Sequence, residues 1–267
     1  MTKTWLITGT SRGFGNEWAR AALERGDRVA ATARDLSRPA ELADRYGDAV
    51  LPIQLDVTDR EAVGAAVRKA YAHFGSLDVV VNNAGYGHFG MVEEVTESEL
   101  RAQLETNFFG AVWVTQAALP LMREQRRGHI LQVTSEGGVR AYPGIGAYHA
   151  SKWALEGLSE SLAQEVAPFG IHITSVEPGP YATDWLDRGA RRSAPHPDYA
   201  GVRETTAPEF EVGDPRATRE AILRIVDAPE PPLRVFLGKS FPAVAELYEE
   251  RLRTWRDWQP VSVAAFG

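Results

Sequence analysis

The stretch Thr4-Trp5-Leu6-Ile7 runs straight into Thr8-Gly9-Thr10-Ser11-Arg12-Gly13-Phe14-Gly15 and then into a helical pattern from Asn16 to Arg25. This succession leaves the chain few folds. A short apolar run, a glycine turn and a helix form the first half of a βαβ unit, and such units belong to parallel sheets. In that frame Gly9 permits a tight turn, Gly13 lets backbone approach a pyrophosphate, and Gly15 lets the helix pack closely. The free N–H groups at the helix start face the anion. Ser11, Arg12 and Phe14 complete the loop. The spacing is GxxxGxG, not GxGxxG. Outside a strand–helix frame a glycine triplet marks only a tight turn; inside one it marks a dinucleotide site.

The second strand, Arg28 to Ala33, ends without the acidic residue that would bind a ribose 2′-hydroxyl. Ala33 stands in that place and Arg34 follows. With Arg12, this supplies guanidinium groups for a 2′-phosphate, so NADP(H) is the expected cofactor and NAD(H) the alternative. Asp35, one place late, argues for the alternative. Residues 36–47 read as a helix and Val50 to Leu55 as a third strand, running into Asp56 and Val57. Asp56 suits the adenine amino group or a helix cap, and Asp59 fits the cap better. Residues 59–74 are helical. Leu77 to Val81 is a continuously apolar strand, as a sheet covered on both faces requires. It runs into Asn82-Asn83-Ala84-Gly85, whose small residues admit a ligand at the strand's carboxyl end.

Residues 96–124 form a helical region holding Asn107 among bulky apolar neighbours. Asn107 is either a helix-bending residue or the holder of a water in a proton relay. A strand at residues 129–134 ends at Ser135, whose hydroxyl is placed to bond a substrate oxygen. The helix at 147–167 carries Tyr148 and Lys152, four apart and so on one face. An ammonium there is expected to lower a phenol pKa of about 10, making Tyr148 a proton donor and acceptor near neutrality. A sixth strand, His172 to Val176, ends in Glu177-Pro178-Gly179-Pro180-Tyr181-Ala182-Thr183, where Pro178, Gly179 and Thr183 wrap a flat ring. Residues 184–212 have little periodicity and read as a lid. A helix at 214–227, a seventh strand at Leu233 to Leu237 and a helix at 242–256 follow. The tail 259–267 is expected to be loosely held or at a subunit contact.

The totals exclude several classes. The chain of 267 residues has no cysteine, so disulfides and thiolate chemistry are ruled out. His73, His88, His129, His149, His172 and His196 show no ligand spacing, so no metal is expected. Net charge is −7 with no long basic run, which argues against nucleic acid. The basic group Arg188, Arg191 and Arg192 is a solvated loop face or part of the lid. There is no apolar span of membrane length and no secretory signal, so a cytoplasmic, membrane-free protein is expected.

Together these residues resemble the short-chain dehydrogenase/reductase family, classical type, from Thr4 to about Leu237. TGTSRGFG matches TGxxxGxG, Asn82 to Gly85 is NNAG, and Pro178 to Thr183 matches PGxxxT. Asn107, Ser135, Tyr148 and Lys152 fall at the catalytic tetrad, with thirteen positions from Ser135 to Tyr148 and four more to Lys152. The resemblance implies a single-domain α/β fold: a Rossmann-type, doubly wound, seven-stranded parallel sheet with helices on both faces. The wording from Tyr148 to Leu162 looks like the 17β-hydroxysteroid/retinol dehydrogenase-like branch.

The resemblance further implies an NADP(H)-dependent carbonyl reductase or alcohol dehydrogenase. In it Tyr148 donates the proton, Lys152 tunes Tyr148 and holds the nicotinamide ribose, Ser135 polarises the carbonyl, and Asn107 supports the relay. The substrate would be a small carbonyl or alcohol, apolar or aromatic, resting on His88, Gly137, Val139, Tyr142 and Trp185. Tyr142 and Trp185 serve equally as packing. A homodimer or homotetramer through helices 99–124 and 147–167 is expected. The alternative from another class is an NADP-binding regulator or redox sensor on the same fold. A dehydration or epimerisation would need one more acid or base. Glu136 is the nearest, and reads more simply as a surface-loop residue.

Overall fold

The computed structural model describes residues 2–183, 185, 189–206 and 211–267. In the expected lid, Asp184, Asp187, Arg188 and Phe210 therefore lie outside the described residues.

In chain order the first elements are β1 (Thr4–Thr8), α1 (Gly13–Glu24), β2 (Arg28–Ala33), α2 (Ser37–Tyr46), β3 (Val50–Gln54), α3 (Arg60–Phe74) and β4 (Val79–Asn82). Then come β5 (Gly87–Phe89), α4 (Glu97–Leu104), α5 (Gly110–Gln125), β6 (Gly128–Val133), α6 (Gly146–Val166) and β7 (Ile171–Pro178). The last are β8 (Ala190–Arg192), α7 (Ala200–Thr206), α8 (Thr218–Asp227), β9 (Arg234–Leu237) and α9 (Phe241–Ala264).

Seven strands form one parallel sheet in the order β3-β2-β1-β4-β6-β7-β9. The alternation along β1 shows why helices cover both faces. Leu6 joins the core under α3, α5 and α6. Trp5 and Ile7 point the other way, into the core with Trp18 and Leu23 of α1, Leu42 of α2 and Ile222 of α8. Both fully buried indoles keep a partner: Trp5 donates to Asp27 Oδ2 at 2.8 Å and Trp18 to Thr218 Oγ1 at 2.8 Å. Winding reverses at β1, which has β2 on one side and β4 on the other. That switch point opens a crevice at the carboxyl ends of the strands.

Three features depart from the sequence expectation. The helical region 96–124 is broken by a widened turn, Glu105–Phe109, with i→i+5 bonding, and Asn107 sits inside it. The 184–212 segment is not wholly irregular: β8 pairs with β5 in a two-stranded parallel sheet and α7 follows. The last helix does not stop near 256. It runs on through Pro260 to Ala264, so the tail is helical, and from Leu252 onward every residue is exposed.

Candidate active site

The loops following β1, β2, β4, β6 and β7 line a cleft of about 1240 Å³. At one end the loop after β1 is shaped by its lack of side chains. Gly9 has φ +73°, and a Cβ there would lie 3.0 Å from Ala84 Cα. A Cβ on Gly15 would lie 2.5 Å from both the Gly9 carbonyl oxygen and Asn83 Nδ2. The Asn83 amide donates to the carbonyls of Thr8 at 2.8 Å and Gly9 at 3.1 Å. Thr8 Oγ1 accepts from the backbone N–H of Asn83 and of Ala84, each at 3.0 Å. The loop after β4 thus clamps the loop after β1. Helix α1 starts at Gly13 with no side-chain cap and no acidic residue in its first turn. Its amide groups are left for an anion. The cradle fits a dinucleotide pyrophosphate.

Arg12 and Arg34 both line this end of the cleft, beside Ala33. Asp35 does not line it; its Oδ1 accepts from the Ser37 N–H at 2.9 Å, in the turn that opens α2. Asp59 caps α3 through the Ala62 N–H at 2.9 Å, while Asp56 lines the cleft with Val57. Gly9, Ser11, Gly13, Phe14, Asn83, Ala84, Gly85, Pro178, Gly179 and Thr183 line it too, and Gly15 packs behind them.

Ser135, Tyr148 and Lys152 meet at the middle of the cleft. Ser135 lies two residues beyond β6 and caps a short turn, accepting from the Gly137 N–H at 3.0 Å. Tyr148 is buried, which pushes its hydroxyl up to about 12; a hydrogen bond with Ser135 pulls down, and the charge of Glu136 pushes further up. Lys152 Nζ donates to the Val133 carbonyl at 2.7 Å and stands 5.7 Å from the Tyr148 ring centroid. Burial brings its ammonium down to about 8, opposed by Glu156. The expected lowering of Tyr148 by Lys152 is not among the effects acting on the phenol here: burial dominates, Ser135 is the group that pulls down, and Nζ is turned to a backbone carbonyl.

Asn107 does not reach the cleft surface. Its Oδ1 accepts from the Tyr86 N–H at 3.0 Å; its Nδ2 donates to the Tyr86 carbonyl at 2.9 Å and Ser151 Oγ at 3.1 Å. It fixes the chain beside Gly85, where a Cβ would lie 3.1 Å from Asn107 Oδ1 and 3.7 Å from Lys152 Nζ.

At the other end the expected substrate contacts divide. Gly137, Tyr142 and Trp185 line the cleft. Trp185 stands edge-on to Tyr148 at 5.0 Å and to Phe89 at 5.5 Å. His88 and Val139 are corrections. On β5 the side chains alternate, so Phe89 faces the cleft while His88 is 1% exposed, with Nε2 2.8 Å from Ser193 Oγ. Val139 is buried, and Arg251 of α9 holds its carbonyl at 3.2 Å.

Two notable lining residues, His149 and Tyr86, went unread in the sequence, and Glu136, expected on a surface loop, lies deeper. The His149 ring bridges the loop: Nδ1 donates to the Gly137 carbonyl at 2.8 Å and Nε2 accepts from the Tyr142 N–H at 2.8 Å. This assigns the neutral Nδ1–H tautomer, and burial holds the His149 pKa below its usual value. Glu136 is not on the surface. It is buried, lines the cleft and accepts the Tyr142 hydroxyl at 2.9 Å. Tyr86 forms part of the wall, with Arg191 over its ring at 4.5 Å. The positions of His149 and Glu136, directly after Tyr148 and Ser135, were the available signal.

Among the described residues no group of three or more His, Cys, Asp or Glu is placed to hold a metal, and no helix is long and apolar enough to cross a membrane.

The short chain dehydrogenase family model matches residues 3–192. The chain is 41% identical to oxidoreductase BOA17 of Botryotinia fuckeliana, covering 99% of this chain and 100% of that one. Among solved structures, a short-chain dehydrogenase from Streptomyces avermitilis is 39% identical, with a TM-score of 0.91 over 99% of each chain. A 3-ketoacyl-(acyl-carrier-protein) reductase from Brucella melitensis, in complex with NADH, is 28% identical with a TM-score of 0.76. It covers 88% of this chain and 96% of that one.

Proposed function

Because the chain belongs to the short-chain dehydrogenase family of oxidoreductases, we propose that it interconverts a ketone or aldehyde and its alcohol with NADP(H). One observation carries this reading: Ser135, Tyr148 and Lys152 converge in a cleft whose far end is a glycine cradle flanked by Arg12 and Arg34. A nicotinamide cofactor bound there supplies or accepts the hydride.

In the reducing direction the Tyr148 hydroxyl gives its proton to the carbonyl oxygen, and in the oxidising direction it takes the proton back. A hydroxyl held near 12 is a protonated donor at neutral pH, and the Ser135 bond both orients it and offsets part of the burial effect. Ser135 supplies a second contact to the same oxygen. Lys152 turns from the Val133 carbonyl to hold the nicotinamide ribose, and its charge then favours the tyrosinate. Asn107, anchored on Tyr86, supports the path by which Lys152 is reprotonated. The preference for NADP(H) over NAD(H) rests on two guanidinium groups and the absence of an acid at Ala33. Segment 184–212 serves as the substrate lid, and the same reading includes a homo-oligomer.

The test is a fluorescence titration with NADPH and with NADH, followed by absorbance at 340 nm over a panel of aromatic and aliphatic ketones. Tighter NADPH binding with turnover is expected. Tighter NADH binding would show that Asp35 outweighs Arg12 and Arg34. Tight binding without turnover across the panel would favour the regulator.

A further inference from the structure

Directly after Ser135 the sequence places an acid, Glu136. The turn that closes β6 folds it in, leaving it 8% exposed with its side chain against the cleft. One oxygen, Oε1, accepts the Tyr142 hydroxyl at 2.9 Å. The other, Oε2, has no hydrogen-bond donor among the described residues; it lies 3.5 Å from the place a Cβ on Gly179 would take. Among the described residues no lysine or arginine forms an ion pair with Glu136. Arg140, on the same loop, instead lies over the Tyr142 ring at 4.8 Å. Across the loop stand Tyr148 and His149 of α6, both affected by the Glu136 charge.

A carboxylate nine-tenths removed from water is costly unless a cation or several donors compensate it. Among the described residues one donor reaches it, the Tyr142 hydroxyl. The remaining oxygen is on the cleft wall beside Gly179, and the Glu136 charge reaches the Tyr148 hydroxyl. We infer that Glu136 recognises an ammonium group next to the reacting carbon, so that the substrate class is the amino ketone and the corresponding amino alcohol.

This assignment rests on the carbonyl-reductase reading and narrows it: the expected apolar substrate gains a cationic substituent. A primary ammonium carries three donors and a positive charge, which match a carboxylate oxygen that faces the cleft with no donor among the described residues. The reaction is unchanged. Hydride adds to the carbonyl carbon, the Tyr148 proton goes to its oxygen, and the ammonium keeps its protons. Pairing also cancels the Glu136 field on Tyr148, so the phenol gives up its proton more readily once substrate is seated.

The experiment uses two alcohols of nearly equal shape, 2-amino-1-phenylethanol and 1-phenylpropan-1-ol, oxidised by the full chain with NADP+ at neutral pH. The amino alcohol is expected to have a kcat/KM at least about tenfold higher, the ratio of one charge-assisted contact. In Glu136→Gln the ratio should fall to about one. In Tyr142→Phe, which keeps the carboxylate and removes its donor, the preference should persist. Equal ratios in wild type and Glu136→Gln overturn the proposal, as does a wild-type preference for the neutral alcohol. A Glu136→Gln variant that loses NADPH affinity while keeping the alcohol ratio assigns Glu136 to the carboxamide of the cofactor instead. If neither alcohol turns over, the reductase reading fails for this pair. Calorimetric binding of both alcohols to the NADPH-loaded protein then reads the same preference without catalysis: stronger binding of the amino alcohol that Glu136→Gln removes supports it, and equal binding overturns it.

Discussion

The two ends of the cleft are built from different materials. The cofactor end is backbone: three glycines, the Thr8 and Gly9 carbonyls held by Asn83, and the open amides of α1. The substrate end is side chains on loops: Trp185 against Tyr148, the His149 ring bridging Gly137 and Tyr142, and Glu136 under the Tyr142 hydroxyl. A backbone cradle tolerates little variation, since a Cβ on Gly9 or Gly15 would press on main chain. A wall of side chains can be re-cut one residue at a time. The contrast explains how one scaffold keeps a cofactor while changing substrates.

The contrast can be attacked where the two ends meet. Tyr148→Phe removes the proposed proton donor and leaves the cradle whole. Turnover should drop roughly a thousandfold while NADPH affinity stays put; a parallel loss of affinity would mean the ends are not separable. Gly15→Ala tests the cradle itself. Its Cβ would press on the Gly9 carbonyl and Asn83 at 2.5 Å, so thermal melting should report about 1–3 kcal/mol of destabilisation from overpacking, with weakened binding of either nicotinamide cofactor. An unaltered melting curve would show that the loop yields.

Arg34→Ala should be milder and selective, with NADPH affinity lower by about tenfold and NADH affinity nearly constant. An equal loss for both cofactors would remove Arg34 from the 2′-phosphate site. The smallest effect belongs to His149→Phe, a severalfold rise in substrate KM with unchanged cofactor affinity. Its pH counterpart has a definite sign. The His149 pKa is lowered in the folded protein, so the folded state binds fewer protons there than the unfolded one. The contribution of the clamp is complete above the ordinary histidine value of about 6.5 and is lost as pH falls towards the lowered value. On protonation Nε2 becomes a donor facing the Tyr142 N–H. Substrate KM should therefore climb on acidification in wild type and not in the variant.

The same division explains what could be read in advance. The glycine loop, NNAG and the Tyr148–Lys152 spacing are local patterns, each with its physical meaning inside a few residues, and the strand sequence follows from apolar runs between helices. What escaped depended on distant partners or on direction. The β5–β8 pairing joins three-residue strands, Gly87–Phe89 and Ala190–Arg192, far apart in the chain. Whether His88 or Phe89 faced the cleft turned on the pleat of β5, invisible in so short a run. The acid strength of Tyr148 required knowing how dry its surroundings are, and the depth of Glu136 required the loop that folds over it.

The strand order has a consequence for how the molecule comes into being. The hydrogen bonds that clamp the glycine loop, from Thr8 to Asn83 and Ala84, lie within the first third of the chain, since β1 finds both neighbours once β4 exists. Ser135 and Tyr148 are set later, because β6 rests on β7 and β7 on β9, which ends at Leu237. A chain leaving the ribosome amino end first can thus assemble a nucleotide-sized pocket long before it can assemble a reacting one. On the proposed reading, a nicotinamide cofactor present during synthesis would have a half-made protein to hold and would bias that intermediate towards the correct sheet.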